Sequence, residues 1–257
     1  MSTPPPSDGE QQPQPRPSRR GWIIGSIIVV ALVVAVAVPA LLLGGDRGFE
    51  RPDETPEEVL KAAKDELDET DGVRIAITAS DIPDDVSTAL VGADGTAVRP
   101  DGFSGVLNVR FAGGVVDADI VALDGVVNAD LPFVGWSVVD PQDYNAPDPG
   151  LLLDPDQGIS TLLTATDDPA ADGEDAEACA SGDDRTGFPY TGTLDGAVVR
   201  NFIPGADDGT FDARYLIDDE GRLCNARLTG AFYPGTDPMT YTVVFSDYGT
   251  TIDITAP

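Results

Sequence analysis

The sequence predicts an α+β fold built on one large antiparallel sheet. Three observations carry that reading. Short apolar runs with a period of two recur through most of the chain. The breaks between them are hairpin-type pairs (Gly113-Gly114, Asp124-Gly125, Glu220-Gly221 and Pro234-Gly235). The few helical patches do not alternate one-for-one with strands, so the parallel sheet of a βαβ protein is excluded. About 200 residues follow residue 54, enough for one domain with a real core.

Taken in order, residues 1–21 begin MSTPPPSDGEQQPQPRPS, a Pro/Gln/Ser-rich stretch with no apolar face, and read as a disordered cytoplasmic tail. Residues 22–43, WIIGSIIVVALVVAVAVPALLL, carry no charge. As a helix they would span roughly 33 Å, enough for a bilayer core. Arg16, Arg19 and Arg20 precede them, so the basic flank stays in the cytoplasm and the chain beyond lies outside. The competing reading is a cleaved secretory signal ending at residues 37–40, AVPA. The apolar run is longer than a signal core usually is, which favours a retained anchor.

Residues 44–54 read as a linker to a single extracytoplasmic domain, 55–257. Thr55, Pro56 and Glu58 form a capping signal, and Val59, Leu60, Ala62, Ala63 and Leu67 an apolar stripe, so a helix runs to about Thr70. Residues 73–80 alternate as a strand. Residues 81–102 read as a turn-rich loop. Strands follow at 107–111, 116–122, 126–129 and 134–139, and a proline-broken stretch at 141–153. A second helix is expected from an Asp154 cap to about Asp167. An acidic stretch, 167–177, then leads to a strand at 190–194 and a short helix at 195–203. Three meander strands (210–217, 223–232, 239–246) and a closing strand at 251–255 complete eight to ten strands and three or four helices.

Composition narrows the function. Formal net charge is −30, from 45 acidic and 15 basic residues, which disfavours nucleic acid as a partner. There is no histidine, which removes Ser-His-Asp and Cys-His catalysis and His-ligated zinc. No phosphate-binding loop, Ca²⁺-binding loop or nucleophile elbow is present, so no catalytic, cofactor or metal site is assigned. Asp117 and Asp119 fall on the outward face of their strand and read as solvated charge. Cys179 and Cys224 are the only cysteines and, in an exported domain, read as one disulfide, with two free thiols the alternative.

The segment DPDQGISTLLTAT (154–166) resembles the D-P-D-x-G-hydrophobic start found in the LppX/LprG (LppX_LprAFG) family of actinobacterial envelope lipoproteins. AGGVVDADIVALDGVVNA (112–129), Gly135-Trp136-Ser137 followed by Asp140-Pro141, YTGTLDGAVVRNFIPG (190–205) and SDYGTTIDITAP (246–257) resemble other family segments in the same order. Two departures stand out. No lipobox cysteine follows the apolar run, so a protein helix takes the place of a lipid anchor. The 81–102 loop also looks long for the family.

The resemblance implies a strongly curved sheet, a half-barrel, with helices closing its concave face around an apolar cavity that takes acylated lipid or glycolipid. On the strand alternation, Ile75, Ile77, Leu107, Val109, Phe111, Val116, Ala118, Ile120, Tyr241, Val243 and Phe245 face that space. Leu60, Ile159, Leu162 and Leu163 face it from the helices. The expectation is a membrane-anchored lipid-binding protein rather than an enzyme. Its rivals are an interaction module with a closed core, serving an envelope transporter, and an enzyme working through a carboxylate pair.

Overall fold

The computed structural model describes residues 54–257 except Ala112 and Asn145. The expected tail, membrane helix and all but the last residue of the linker lie outside the described residues. Within them, no helix is long and apolar enough to cross a membrane.

Thr55 caps α1 (Pro56–Glu69) as expected. The Glu58 N–H donates to the Thr55 hydroxyl at 3.3 Å, and the Thr55 N–H donates to the Glu58 carboxylate at 2.8 Å. Val59, Leu60, Ala63 and Leu67 recur at helical spacing and are all buried. The chain then enters a sheet of twelve strands: β1 (Gly72–Ser80), β2 (Ala89–Val98), β3 (Gly102–Phe111), β4 (Gly114–Leu123), β5 (Val126–Leu131), β6 (Gly135–Val139), β7 (Asp167–Ala171), β8 (Glu177–Ala178), β9 (Thr186–Asp195), β10 (Thr210–Asp218), β11 (Leu223–Gly230) and β12 (Met239–Ser246). Its order is β6-β5-β4-β3-β2-β1-β12-β11-β10-β9-β7, with β8 beside β9, and every described pairing is antiparallel. The sheet is open and curved. One buried cluster draws on α1, the 152–163 segment and one face of the strands.

The turn chemistry explains the meander. Asp124 (φ 52°) and Gly125 (φ 72°) both occupy the left-handed region, as a two-residue hairpin with the sheet's own twist requires. Asp195 caps α3 (Gly196–Phe202) by accepting the Ala197 N–H at 2.7 Å. Cys179 and Cys224 are bonded, as expected.

Four expectations are corrected. Residues 81–102 are not a loop, because β2 runs through them. A register shift between Leu90 and Gly92 moves the inward face from even to odd positions and hides the period of two. Asp94-Gly95 resembles a turn pair, but Gly95 sits mid-strand opposite Gly105, with the Phe103 ring close by.

The second helix is also shorter than expected. Asp154 does accept N–H bonds from Asp156 and Gln157, at 2.9 and 2.8 Å. Gly158 then closes a tight turn onto the Asp154 carbonyl (2.7 Å), and the Ile159 N–H reaches back to Leu152 O (3.1 Å). The helix α2 therefore covers only Thr161–Thr164.

The acidic stretch contains β7 and β8, edge strands whose solvated side chains carry no apolar pattern. Residues 251–257 form no strand. Both sides of β12 are taken, by β1 and β11, so a strand leaving it finds no free edge beside it.

Candidate functional site

The registers place the strand residues expected to face inward on one side of the sheet, in rows across neighbouring strands. The row Val73, Ala97, Phe103, Ala122 and Val127 is fully buried. The next row joins Phe245, Ile75 and Ile120 through Gly95 and Gly105, and its three large side chains are again buried. In the third row, Val243, Ala93 and Ala118 are buried, but Ile77 and Leu107 are only half-buried. In the fourth, Tyr241 is buried beneath Phe232, while Ala79, Leu90, Val109 and Val116 are half-buried. Phe111 follows on the same side, at the β3–β4 tip, and is 60% exposed. The face is therefore apolar along its length and loses its cover stepwise toward the β3–β4 hairpin.

From the helix side, Leu60, Ile159, Leu162 and Leu163 are buried in the same apolar cluster. A 3₁₀ turn at Pro149–Leu151 packs on β3 and β4, while α1 contacts α2, β7 and β11. The 154–160 turn is pinned to α1 by a polar clamp. Lys64 Nζ donates to Asp68 Oδ2 (2.5 Å) and to Pro155 O (2.8 Å), and Ser160 Oγ donates to Asp68 Oδ1 (2.6 Å). Sequence reading missed Leu90, Ala93, Ala97 and Phe103 on this face, because it missed β2 and the start of β3. The signal available was the small residues Ala93, Gly95 and Ala97, spaced by two.

The polar groups on this face are neutral. Tyr241 donates to Leu90 O at 3.1 Å and lies 3.5 Å from the Tyr233 hydroxyl. Burial pushes its phenol well above the ordinary value. Burial likewise raises the Tyr215 phenol to about 12, partly offset by the Thr166 hydroxyl 3.0 Å away. Among the described residues, no buried side-chain nitrogen or oxygen lacks a partner. The face thus has no orphaned polar group to recruit a polar ligand, and what it can do chemically is shelter apolar surface.

Two open depressions lie elsewhere. One, of about 400 Å³, is lined by Asp117, Asp119, Asp130, Leu131, Pro132, Phe133 and Gly135, and Asp117 and Asp119 are exposed as expected. The other, of about 420 Å³, lies around Arg200, Pro204 and Asp207. Neither is lined by the half-buried strand residues Ile77, Leu90, Leu107, Val109 and Val116.

Comparison with known proteins agrees with this architecture. Residues 55–254 match the model of the family described as LppX_LprAFG lipoprotein. Over 152 residues, 57% of the chain, the sequence is 26% identical to the lipoarabinomannan carrier protein LprG of Mycobacterium tuberculosis and of Mycobacterium bovis. The chain spans 63% of the length of those curated relatives. The crystal structure of LprF from Mycobacterium bovis superposes with a TM-score of 0.61 at 18% identity, covering 79% of this chain and 96% of that one. The Mycobacterium tuberculosis lipoprotein LppX gives 0.57 at 16%, covering 80% and 100%. At such identities the two structures speak to the fold.

Proposed function

The chain belongs to the LppX_LprAFG lipoprotein family, and from that premise we propose that it is an extracytoplasmic protein that holds or carries acylated envelope lipid against the concave face of its sheet. The observation that carries the reading is the graded apolar face, closed at the Val73–Phe103 end and open at Val109, Val116 and Phe111. Lipid-binding relatives, one of them a lipoarabinomannan carrier by name, support the same class of ligand. In this reading the uncharged run at 22–43 tethers the domain to the membrane with its N-terminus in the cytoplasm.

Carriage of this kind needs no bond to be made or broken. Each methylene taken out of water contributes about 0.8 kcal/mol, so ten of them supply about 8 kcal/mol before ordering costs. Affinity then comes from chain burial, and the headgroup stays near the open end. Half-buried Ile77, Leu90, Leu107, Val109 and Val116 are the side chains an acyl chain would cover.

The test is native mass spectrometry with lipid extraction on residues 46–257 purified from an actinobacterial host. A multi-acyl lipid near one-to-one is expected, and Val109→Trp should abolish uptake by filling the open end. A protein that arrives empty and refuses added glycolipid would overturn the reading in favour of an interaction module with a closed core.

A further inference from the structure

We propose that the two hairpin tips at the open end of the apolar face, the β3–β4 tip at Phe111, Gly113 and Val115 and the β5–β6 tip at Phe133 and Val134, seat on a neutral lipid surface, and that acyl chains cross between that surface and the face there. The inference rests on the lipid-carriage reading and adds a partner to it.

Among the described residues, four of the nine large exposed apolar side chains lie at these two tips: Phe111, Val115, Phe133 and Val134. Scattered apolar side chains are ordinary on a protein surface, but a cluster marks a contact site. Phe133 is fully exposed, and its φ of 67° places an aromatic residue in the left-handed region, where glycine or asparagine is the usual occupant. The fold therefore holds an aromatic ring out into water on an unfavourable backbone. β3, β4, β5 and β6 are sequential antiparallel neighbours, so both turns emerge from the same end of the sheet. Phe111 continues the inward rows directly, so the β3–β4 tip joins the half-covered face to the end of the sheet, while Val115 lies on the other side of the same tip.

Charge selects the partner. Residues 111–116 (FAGGVV) and 131–139 (LPFVGWSVV) are uncharged runs in a chain of net charge −30. Asp117, Asp119 and Asp130 line one depression together with Leu131, Pro132 and Phe133. An anionic surface is repelled by those carboxylates, whereas a zwitterionic one accepts the tips by apolar burial alone.

Cys179 and Cys224 are paired and are the only native cysteines, so an introduced cysteine is a unique labelling site. The full chain is reconstituted in phosphatidylcholine vesicles carrying doxyl-lipid quenchers. Environment-sensitive fluorophores are placed at Val115→Cys, at Val134→Cys and, as the control at the opposite end beside Gly72, at Thr251→Cys. Quenching at the two tip positions but not at 251 is expected, and it should weaken as phosphatidylglycerol replaces phosphatidylcholine. The double variant Phe133→Asp with Val134→Asp should slow lipid uptake about tenfold or more at unchanged final stoichiometry.

Tip labels quenched no more than the control, in a protein that still takes up lipid, would overturn the docking proposal and leave the lipid-binding face standing. Failure of both quenching and uptake would bring down both readings. A blue shift at the tips that depends on protein concentration and is insensitive to doxyl lipid would mean that a second copy covers them, and that too would overturn the proposal.

Discussion

The ring of Phe103 lies over Gly95: a Cβ built on the glycine would come within 2.4 Å of Phe103 Cζ. Phe103 is 3% exposed and sits in the most buried row of the sheet, so neither partner has room to move. Gly95→Ala should therefore cost about 1–3 kcal/mol through overpacking, read as a lowered thermal midpoint. Phe103→Leu in the same chain should recover part of the loss, because it removes the ring the new methyl meets. Additive losses in the double variant would show that the two residues do not share this space.

That pair also marks where sequence reading stopped. Thr55-Glu58, Gly113-Gly114, Asp124-Gly125 and the β12 run are local devices whose meaning does not depend on the rest of the fold, and they are legible as written. The inward parity of Ile75, Leu107, Ile120 and Phe245 follows from period two within single strands, and the registers place them on one face. What was not legible depended on tertiary context. Gly95 is small to make room for a ring eight residues on, and the Leu90/Gly92 register shift erases the alternation of β2. The exposed β7 has no apolar pattern to read, and nothing local to residues 251–255 says that both edges of β12 are taken. Which inward residues stay half-buried depends on what packs over them from elsewhere in the chain, a quantity no single strand encodes.

The clamp between α1 and the 154–160 turn should be sensitive to loss of one member. Lys64 and Asp68 are each 18% exposed, and Ser160 is buried. Asp68→Ala leaves the Lys64 ammonium with only Pro155 O and the Ser160 hydroxyl, at a cost of about 1.5–3 kcal/mol. The same exposed-helix change at Asp65, which pairs with Lys61 at the surface, should cost well under 1 kcal/mol. Urea unfolding of the two variants tests the contrast, and equal losses would show that the clamp contributes no more than a surface pair.

Tyr215 predicts an alkaline limit to stability. Its phenol is raised by burial to about 12, above the unfolded value near 10. The folded state therefore holds its proton more tightly than the unfolded chain, and stability is full below pH 10 and falls as pH rises toward 12. Two units correspond to about 2–3 kcal/mol. Tyr215→Phe should flatten the component of this fall that it contributes, although it loses the Thr166 hydrogen bond at neutral pH. Urea midpoints measured between pH 8 and 11.5 decide it, and an unchanged slope in the variant would assign the fall to other groups.

The Cys179–Cys224 bridge closes a sequence separation of 45 residues, spanning β9, α3 and β10. In the chain-entropy model a loop of that size contributes about 4 kcal/mol, with engineered examples usually lower. Cys179→Ser with Cys224→Ser should therefore lower stability by about 2–4 kcal/mol without changing the family fold. Denaturation of the parent chain with and without reductant should show the same loss. A reduced protein as stable as the oxidised one would mean that native contacts around Leu216 already confine the loop.

The sharpest separation between core and site is expected from two substitutions on the same face. Ile75 and Val116 share the inward side of the sheet, but Ile75 is 2% exposed and Val116 is half-buried near the open end. An aspartate at Ile75 would be buried beside Phe245 without a partner, costing several kcal/mol, so Ile75→Asp should not fold. At Val116 the carboxylate can stay hydrated, so Val116→Asp should keep a near-parental thermal midpoint while placing a charge where an acyl chain would lie. Its lipid uptake should be lost although its fold is intact. Normal uptake by folded Val116→Asp would exclude the open end of this face as the place where lipid sits.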